Sequence, residues 1–297
     1  MKHCNRTNIL LRVTGCFLLA ACWGCSMELP QGLVADEATP VKIMAEIQEL
    51  SQTKADPMTT ANSYDRSSFI SADKIRVYRL IGGTVVQQED YAYSGSAWST
   101  TAANPVTLQA GSTYSASYPS DYTGILQDQS ATGGAGFLKS NYLKSKTVTS
   151  RDGILHFTGD GAFERQNAKL TLVFKLHGGG APDGDFTNAL LSAPGLISGG
   201  ATDENITLYR PDASAYTWCG IVYPKGASTT ISLQLTYKGV VYKASLSCGL
   251  AAGTHYTYTM TLKDDILVPT GSSIAGWKND PNGDFTGEFN NGTTTGS

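Results

Sequence analysis

The sequence is poor in charge, and beyond its first 25 residues it has no long apolar run. Lys and Arg number 22 and Asp and Glu number 25, so charged residues make up 16% of the chain and the formal net charge is −3. Nucleic-acid binding needs a basic stripe that neutralises phosphates, so this balance argues against a nucleic acid partner. No later segment approaches the roughly 18 consecutive apolar residues of a membrane-spanning helix.

Residues that carry catalysis are also scarce. After the N-terminal leader the only histidines are His156, His177 and His255. The chain has no Gly-x-Ser-x-Gly elbow, no His-Glu-x-x-His and no Walker loop. Glycosidase carboxylate pairs leave no sequence pattern, so the abundance of Asp and Glu says nothing about that class. We therefore expect a protein that is not an enzyme, with neither a metal nor a cofactor.

Cysteines are few in the part expected to fold. Cys219 and Cys248 each lie inside a strand-like stretch. In an exported protein this pair could form a disulfide. Two buried, weakly polar thiols are an equally good interpretation. Neither has a second Cys or His nearby at the spacing of a zinc site.

The N-terminal segment has the layout of a lipoprotein signal peptide. Basic residues precede an apolar stretch over residues 9–22, which is too short to span a bilayer. The stretch ends in Leu19-Ala20-Ala21-Cys22, where small residues precede a Cys, as in a lipobox. This predicts a signal peptide over residues 1–21 and a mature chain anchored by lipid at Cys22. A plain secretory signal cut near Ser26 is the alternative.

The mature chain begins with a polar tether, residues 22–40, and then a strand signal. Residues 41–47 alternate apolar and polar side chains, which predicts a half-buried strand with Ile43, Ala45 and Ile47 on one face. A polar loop rich in Thr, Asp, Asn and Ser follows over residues 51–68.

Further short β-rich runs continue to the end of the folded part, without a convincing helix. Gly82-Gly83 and Lys238-Gly239 are hairpin signals. Residues 186–191 are the only helical candidate, which we discount. Strands are predicted at 74–80, 84–86, 98–101, 106–108, 113–118, 153–157, 169–176, 206–209, 215–223, 229–237, 240–247, 256–262 and 266–268. Short strands at regular spacing predict an all-β protein built from β-sandwiches.

Two segments share a local pattern. Residues 108–114 and 250–256 both have an apolar residue before a turn Gly and a Tyr that begins a new strand. This favours two related sandwich domains, 41–165 and 166–278, before a polar tail, 279–297. A shared turn type alone would also explain the similarity.

The order of motifs in the second half resembles a known family. Residues 221–224, 238–242, 250–262 and 274–277 follow the order IxxP, a hairpin, AGxxYxYxxxL and IxxW. This order is similar to the C-terminal domain of the fimbrillin family of Bacteroides-type (type V) pilus subunits, including the minor-fimbria type. Residues 163–170 resemble the start of the second domain of that family, and Ile47 with residues 53–55 resembles its first strand and Thr-Arg-Ala segment.

The resemblance implies two tandem transthyretin-like, Greek-key β-sandwiches and a role in outer-membrane-anchored fimbriae. In such subunits a trypsin-like protease cuts after an Arg or Lys and releases the first strand. The vacated groove then accepts a strand from another pilus subunit. Arg66 and Lys54 are the candidate cleavage sites, and Arg66 is preferred because the extended residues 62–68 surround it. If neither is cut, the chain would stay anchored as a terminal or base subunit.

A second function stays open at this point. The tail over residues 279–297 is polar and Gly-rich, with only Phe285 and Phe289 as apolar anchors, which is weak for a donor strand. The alternative is a lipid-anchored surface protein that binds a glycan, a host protein or another bacterial surface ligand without polymerising. Its aromatic loops would be residues 91–98 or 118–122.

Overall fold

The structure, a computed structural model, describes residues 39–48, 68–131, 134–178, 186–211, 216–263 and 266–276. Strands dominate these ranges, and a six-residue helix, α1 (Ala135–Ser140), lies between the fifth and sixth strands. The strands are β1 (Lys42–Ala45), β2 (Lys74–Ile81), β3 (Thr84–Tyr93), β4 (Trp98–Ser99), β5 (Thr113–Tyr118), β6 (Leu143–Ser145), β7 (Ser150–Arg151), β8 (Ile154–Phe157), β9 (Phe163–Arg165), β10 (Ala168–Leu176), β11 (Phe186–Pro194), β12 (Asp203–Thr207), β13 (Thr217–Val222), β14 (Lys225–Tyr237), β15 (Val240–Leu250), β16 (Thr254–Lys263) and β17 (Ile266–Gly276).

The N-terminal strands form two sheets of unequal size. The large sheet has six strands in the order β4-β3-β2-β5-β6-β9, and the small sheet has three in the order β1-β8-β7. One core of buried side chains joins them, because apolar residues alternate with polar ones along most of these strands. Its buried members are Val41, Ile47, Phe69, Ile75, Val77, Tyr91, Val106, Tyr114, Ala116, Leu143, Leu155, Phe157 and Phe163.

The C-terminal strands form two sheets of equal size, β13-β10-β16-β17 and β12-β11-β14-β15. A second, larger core lies between them. Several aromatic rings of this core cluster around Phe186, which stacks on Phe174 (5.7 Å between centroids) and on Tyr237 (4.4 Å). Trp218 packs edge-on against Phe174, 5.2 Å away.

The all-β prediction is confirmed, and the two cores separate close to residue 165. Ile125 and Phe137 nevertheless belong to the C-terminal core, although they precede that position in the chain. The segment that carries them therefore links the halves, and the domain limits 41–165 and 166–278 stay a prediction.

The elements that the sequence pattern misses are short or irregular. β6, β7 and β9 are only two or three residues long, too short to show alternation. β11 covers the discounted helical candidate, and a bulge between Thr187 and Leu190 interrupts its alternation. Asn188 within the bulge has φ of 54°. α1 lies in a segment for which the sequence pattern predicts neither a helix nor a strand.

Several strands extend beyond their predicted limits, among them β3, β14, β15, β16 and β17. β16 begins at Thr254, so His255 lies in a strand and not in the turn that the pattern suggests. β17 continues through Pro269 and Gly271, two residues that normally end a strand. It can do so because it is an edge strand, where a missing N–H costs no ladder bond.

Candidate functional site: the first strand and its groove

The first strand, residues 39–48 with β1 at its centre, completes the N-terminal core. Val41 and Ile47 are 7% and 4% exposed, and Ile43 and Ala45 are partly buried against the same core. The residues between them, such as Met44 at 50% exposure, face solvent. The predicted half-buried strand, with alternate apolar side chains on one face, is confirmed.

The first strand pairs on one side with β8. The pairing is parallel, with Lys42 opposite Ile154 and Ala45 opposite Phe157. At its C-terminal end it continues onto β9, where Gln48 N–H donates to Phe163 O (2.9 Å) and Phe163 N–H donates to Glu46 O (2.9 Å). It therefore joins the small sheet to the last strand of the large one.

On its other side the first strand contacts residues 105–109, which we call the facing segment. Val41 N–H donates to Val106 O (3.1 Å), and Leu108 N–H donates to Thr39 O (3.0 Å). Pro40 and Thr107 form an antiparallel bridge between these two bonds. The first strand thus occupies a groove bounded by β8 and the facing segment.

Removing the first strand would uncover a strongly apolar surface. Leu155, Phe157 and Phe163 are fully buried in the core that the strand completes. Burying one Val or Ile side chain contributes roughly 1.5–3 kcal/mol. The small sheet would retain only β7 and β8, and an isolated two-stranded hairpin is marginally stable. The small sheet therefore depends on a strand in this groove.

The candidate modification sites lie outside the described residues. Cys22 precedes residue 39, and Lys54 and Arg66 fall between residues 48 and 68. The structure describes the chain again from Ser68 onward. Phe69 is buried in the core, with 5.2 Å between its ring centroid and that of Phe163.

In the structure Cys219 and Cys248 are both buried thiols, 0% and 1% exposed. A disulfide between them stays a prediction. They lie in different sheets, on β13 and β15. Burial raises the pKa of the Cys248 thiol.

A buried polar row on β10 and β16 was not apparent from the sequence. Lys169, opposite His255 in register, is fully buried, and the Thr171 hydroxyl lies 2.7 Å from His255 Nε2. Burial, followed by the charges of Lys169 and Arg165, lowers the pKa of His255 well below its usual value. The imidazole is thus neutral at neutral pH and hydrogen-bonded to the Thr171 hydroxyl. In the described part of the chain, no group of three His, Cys, Asp or Glu side chains could hold a metal ion.

The aromatic residues considered for surface binding are mostly packed inside. Tyr91 is 2% exposed, and Tyr93 and Trp98 contact each other (4.9 Å) against the core. Tyr122 stacks on Tyr142 at 4.2 Å. Five of the exposed apolar side chains lie instead at the tips of two hairpins: Ile81, Val85, Val86, Val240 and Val241. None of the helices in the described ranges has the length and apolar character to cross a membrane.

Comparison with known proteins agrees with this architecture. No curated protein matches the sequence. A candidate cell adhesion protein from Bacteroides ovatus has a similar structure, with a TM-score of 0.58 and 15% identity over 82% of this chain and 99% of that one. Another candidate cell adhesion protein, from Bacteroides uniformis, gives a TM-score of 0.56 at 15% identity over the same shares. At such identity the likeness shows the fold alone.

The family is shown by the sequence itself. Residues 53–277, from just beyond the first strand to the end of β17 and Trp277, match the family model described as fimbrillin-like. The resemblance found in the motifs is confirmed over most of the chain: the protein belongs to the fimbrillin-like family.

Proposed function

We propose that this protein is a structural and adhesive subunit of cell-surface fimbriae, exported as a lipoprotein and assembled by exchange of its first strand. The main support for this proposal is the way the first strand packs into the N-terminal core. Four alternate side chains, Val41, Ile43, Ala45 and Ile47, complete the N-terminal core. The strand's covalent link to the rest of that core runs through residues 49–67, which contain Lys54 and Arg66.

A single cut in this link would convert the first strand into a separate peptide held by side-chain burial and main-chain hydrogen bonds. Another strand with alternate apolar residues could then replace it, because β-strand addition depends on those same two contributions. Replacement is favoured over simple loss, since the emptied groove would expose buried apolar surface of the core.

Repeated replacement from subunit to subunit builds a filament, since contacts that run head to tail do not close on themselves. Family membership supports this role, and the two similar Bacteroides structures are named as candidate cell adhesion proteins. The lipobox supports delivery to the outer membrane with lipid on Cys22 until the first strand is cut away. No cofactor or nucleic acid enters this mechanism.

The test is to replace both candidate cleavage residues and to examine the protein at its native cell surface. Lys54→Gln with Arg66→Gln should leave a chain that starts at acylated Cys22 and stays monomeric. The parent should start near Ala55 or Ser67 and form high-mass assemblies. The matched control is Arg151→Gln, an exposed basic residue at the β7–β8 turn, which should behave as the parent. Mass spectrometry of the N-terminus and size analysis provide the readouts.

A parent chain that itself starts at acylated Cys22 and is found only as a monomer would contradict the proposal. That result would favour the alternative, an anchored surface protein that binds a glycan or a host protein. The exposed hairpin tips at Ile81, Val85 and Val86 would then be the first surface to test for binding.

A further inference from the structure

The facing segment is attached to the rest of the N-terminal sandwich mainly by side chains. Its four consecutive amides, from Val106 to Gln109, all donate hydrogen bonds. Only the Leu108 N–H donates to the first strand. The other three donate to side chains of the large sheet.

Three side chains accept these bonds. The Tyr91 hydroxyl accepts from Val106 N–H at 3.0 Å, and Gln87 Oε1 accepts from Thr107 N–H at 3.3 Å. The Tyr114 hydroxyl accepts from Gln109 N–H at 2.8 Å.

The same side chains also donate hydrogen bonds to carbonyl groups of the facing segment. Gln87 Nε2 donates to Pro105 O at 2.8 Å, so both ends of one amide contact the segment, as a paired residue would in a β-ladder. The Tyr114 hydroxyl donates to Thr107 O at 3.1 Å. Val106 O accepts from Tyr91 and, at 3.1 Å, from Val41 N–H of the first strand.

These side chains are themselves fixed. Gln87 and Tyr91 stand on β3 and Tyr114 on β5, and both strands pair with β2 in the large sheet. Tyr114 is fully buried and Tyr91 is 2% exposed. Burial raises the pKa of Tyr91 to about 12, so its phenol keeps the proton that it donates at neutral pH.

We infer that Gln87, Tyr91 and Tyr114 hold the facing segment in place independently of the first strand, so that the groove keeps this wall when the strand leaves. The inference rests on the proposed function, and it assigns positioning roles to three residues outside the groove's main-chain ladder. If the wall is preformed, binding of an incoming strand does not include the entropic cost of ordering this segment.

The wall also specifies what kind of strand can bind. When the first strand leaves, Val106 C=O and Leu108 N–H lose their partners on it and face the groove. They lie two residues apart, the repeat of a β-ladder, and pair antiparallel with the first strand. The ligand class is therefore an extended peptide that runs antiparallel to the facing segment and parallel to β8, with apolar side chains at alternate positions.

Hydrogen exchange tests the wall directly. A site-specific protease sequence placed within residues 49–67 allows the full chain to be cut, and dilution then releases the first strand. Residue-resolved exchange should show the Leu108 amide losing protection while the amides of Val106, Thr107 and Gln109 keep theirs. Loss of protection at all four amides together would overturn the inference, since the first strand would then be what orders the segment.

A second experiment measures how tightly the cut chain rebinds a synthetic peptide with the sequence of residues 39–48. It tests whether the three positioning side chains strengthen the binding of a strand. Tyr91→Phe combined with Tyr114→Phe removes both hydroxyls and keeps both rings. This variant should bind the peptide on the order of tenfold more weakly than the cut parent. Tyr93→Phe, the same change two residues along β3 from Tyr91, is the matched control and should bind as the parent does.

Equal affinity in the double variant and the parent would contradict the positioning roles. If the double variant fails to fold, Gln87→Ala carries the same test, with the exposed neighbour Gln88→Ala as its control. If the peptide does not bind even the cut parent, strand exchange as the proposed function fails. The exchange pattern of the four amides still decides whether the wall is preformed.

Discussion

The two sandwiches contain the same corner between strands. In the N-terminal one, Gln109 N–H donates to the Tyr114 hydroxyl; in the C-terminal one, Ala251 N–H donates to the Tyr256 hydroxyl, in both cases at 2.8 Å. Each corner contains a Gly with positive φ, which is 74° at Gly111 and 66° at Gly253. A Tyr near the start of a strand that bonds back to the preceding backbone is a known stabiliser of β-sandwich corners.

The two sandwiches differ in how their edges are completed. In the C-terminal sandwich the edge regions of β12 and β13 are tied together, because Tyr209 and Cys219 exchange two main-chain bonds of 2.8 Å. Gln129 adds a side-chain tie, accepting from Ile221 N–H and donating to Ile221 O, each at 2.8 Å. The N-terminal sandwich is completed by the first strand. If the proposed function is right, the same corner braces a sheet pair that stays complete in one half and the wall beside an exchangeable strand in the other.

The largest effect on stability should come from the first strand, because it completes the core of the N-terminal sandwich. Ile47→Ala removes a buried side chain and should lower the free energy of unfolding by about 2–5 kcal/mol. Met44→Ala, on the exposed face of the same strand, should change it by less than about 0.5 kcal/mol. Urea denaturation measures both. Equal effects would mean that the two faces of the strand do not differ in burial.

A smaller loss is expected at the tie in the C-terminal sandwich. Gln129→Ala leaves the Ile221 N–H and C=O without this partner in a buried place and should cost about 1–3 kcal/mol. Exchange of the Ile221 amide should speed up as well. Gln127→Ala, an exposed residue of the same type two positions earlier, is the control. If rebinding of the first-strand peptide also weakened in Gln129→Ala, the two halves would not be independent.

The C-terminal half should also carry a pH dependence. His255 has a lowered pKa in the folded state and regains its ordinary value on unfolding, so the unfolded chain binds more protons below pH 6.5. Stability is therefore fully present above that pH and falls as the pH decreases, with a slope approaching about 1.4 kcal/mol per pH unit. Between pH 6.5 and 5.5, His255→Gln should show a flatter slope in urea titrations. An unchanged slope would refute the assignment to His255.

The smallest effect on stability should come from the two corner tyrosines. Tyr114→Phe and Tyr256→Phe each remove the hydroxyl of a corner and should each cost about 0.5–1.5 kcal/mol. Only Tyr114→Phe should weaken rebinding of the first-strand peptide to the cut chain. Parallel urea denaturation and peptide titration separate the two variants. The same loss of peptide binding in both would show that the corners are equivalent.

Local patterns in the sequence predicted the parts of the fold that depend on near neighbours. β5 has the predicted limits because its run is bounded by turn signals. The two corners were visible as a shared motif because a residue and the Tyr it bonds are five positions apart. The first strand was predicted from alternation alone.

Features that depend on distant pairings could not be predicted in this way. Gln87 is an ordinary residue of a strand, and its role depends on residues 105 and 107 lying beside it. Lys169 and Thr171 alternate with leucines as an exposed face would, yet both are buried. Three-residue strands such as β9 are specified by their partners and not by their own composition.

The parallel pairing of β1 with β8 has a consequence for folding order. Lys42 lies opposite Ile154, more than 100 residues further along the chain, so the segment that is made first waits longest for its partner. Closing so long a loop costs entropy that only later contacts repay, which places this docking after the folding nucleus. We expect the chain to build its groove first and to fill it last, so that the proposed strand replacement would repeat the final step of its own folding.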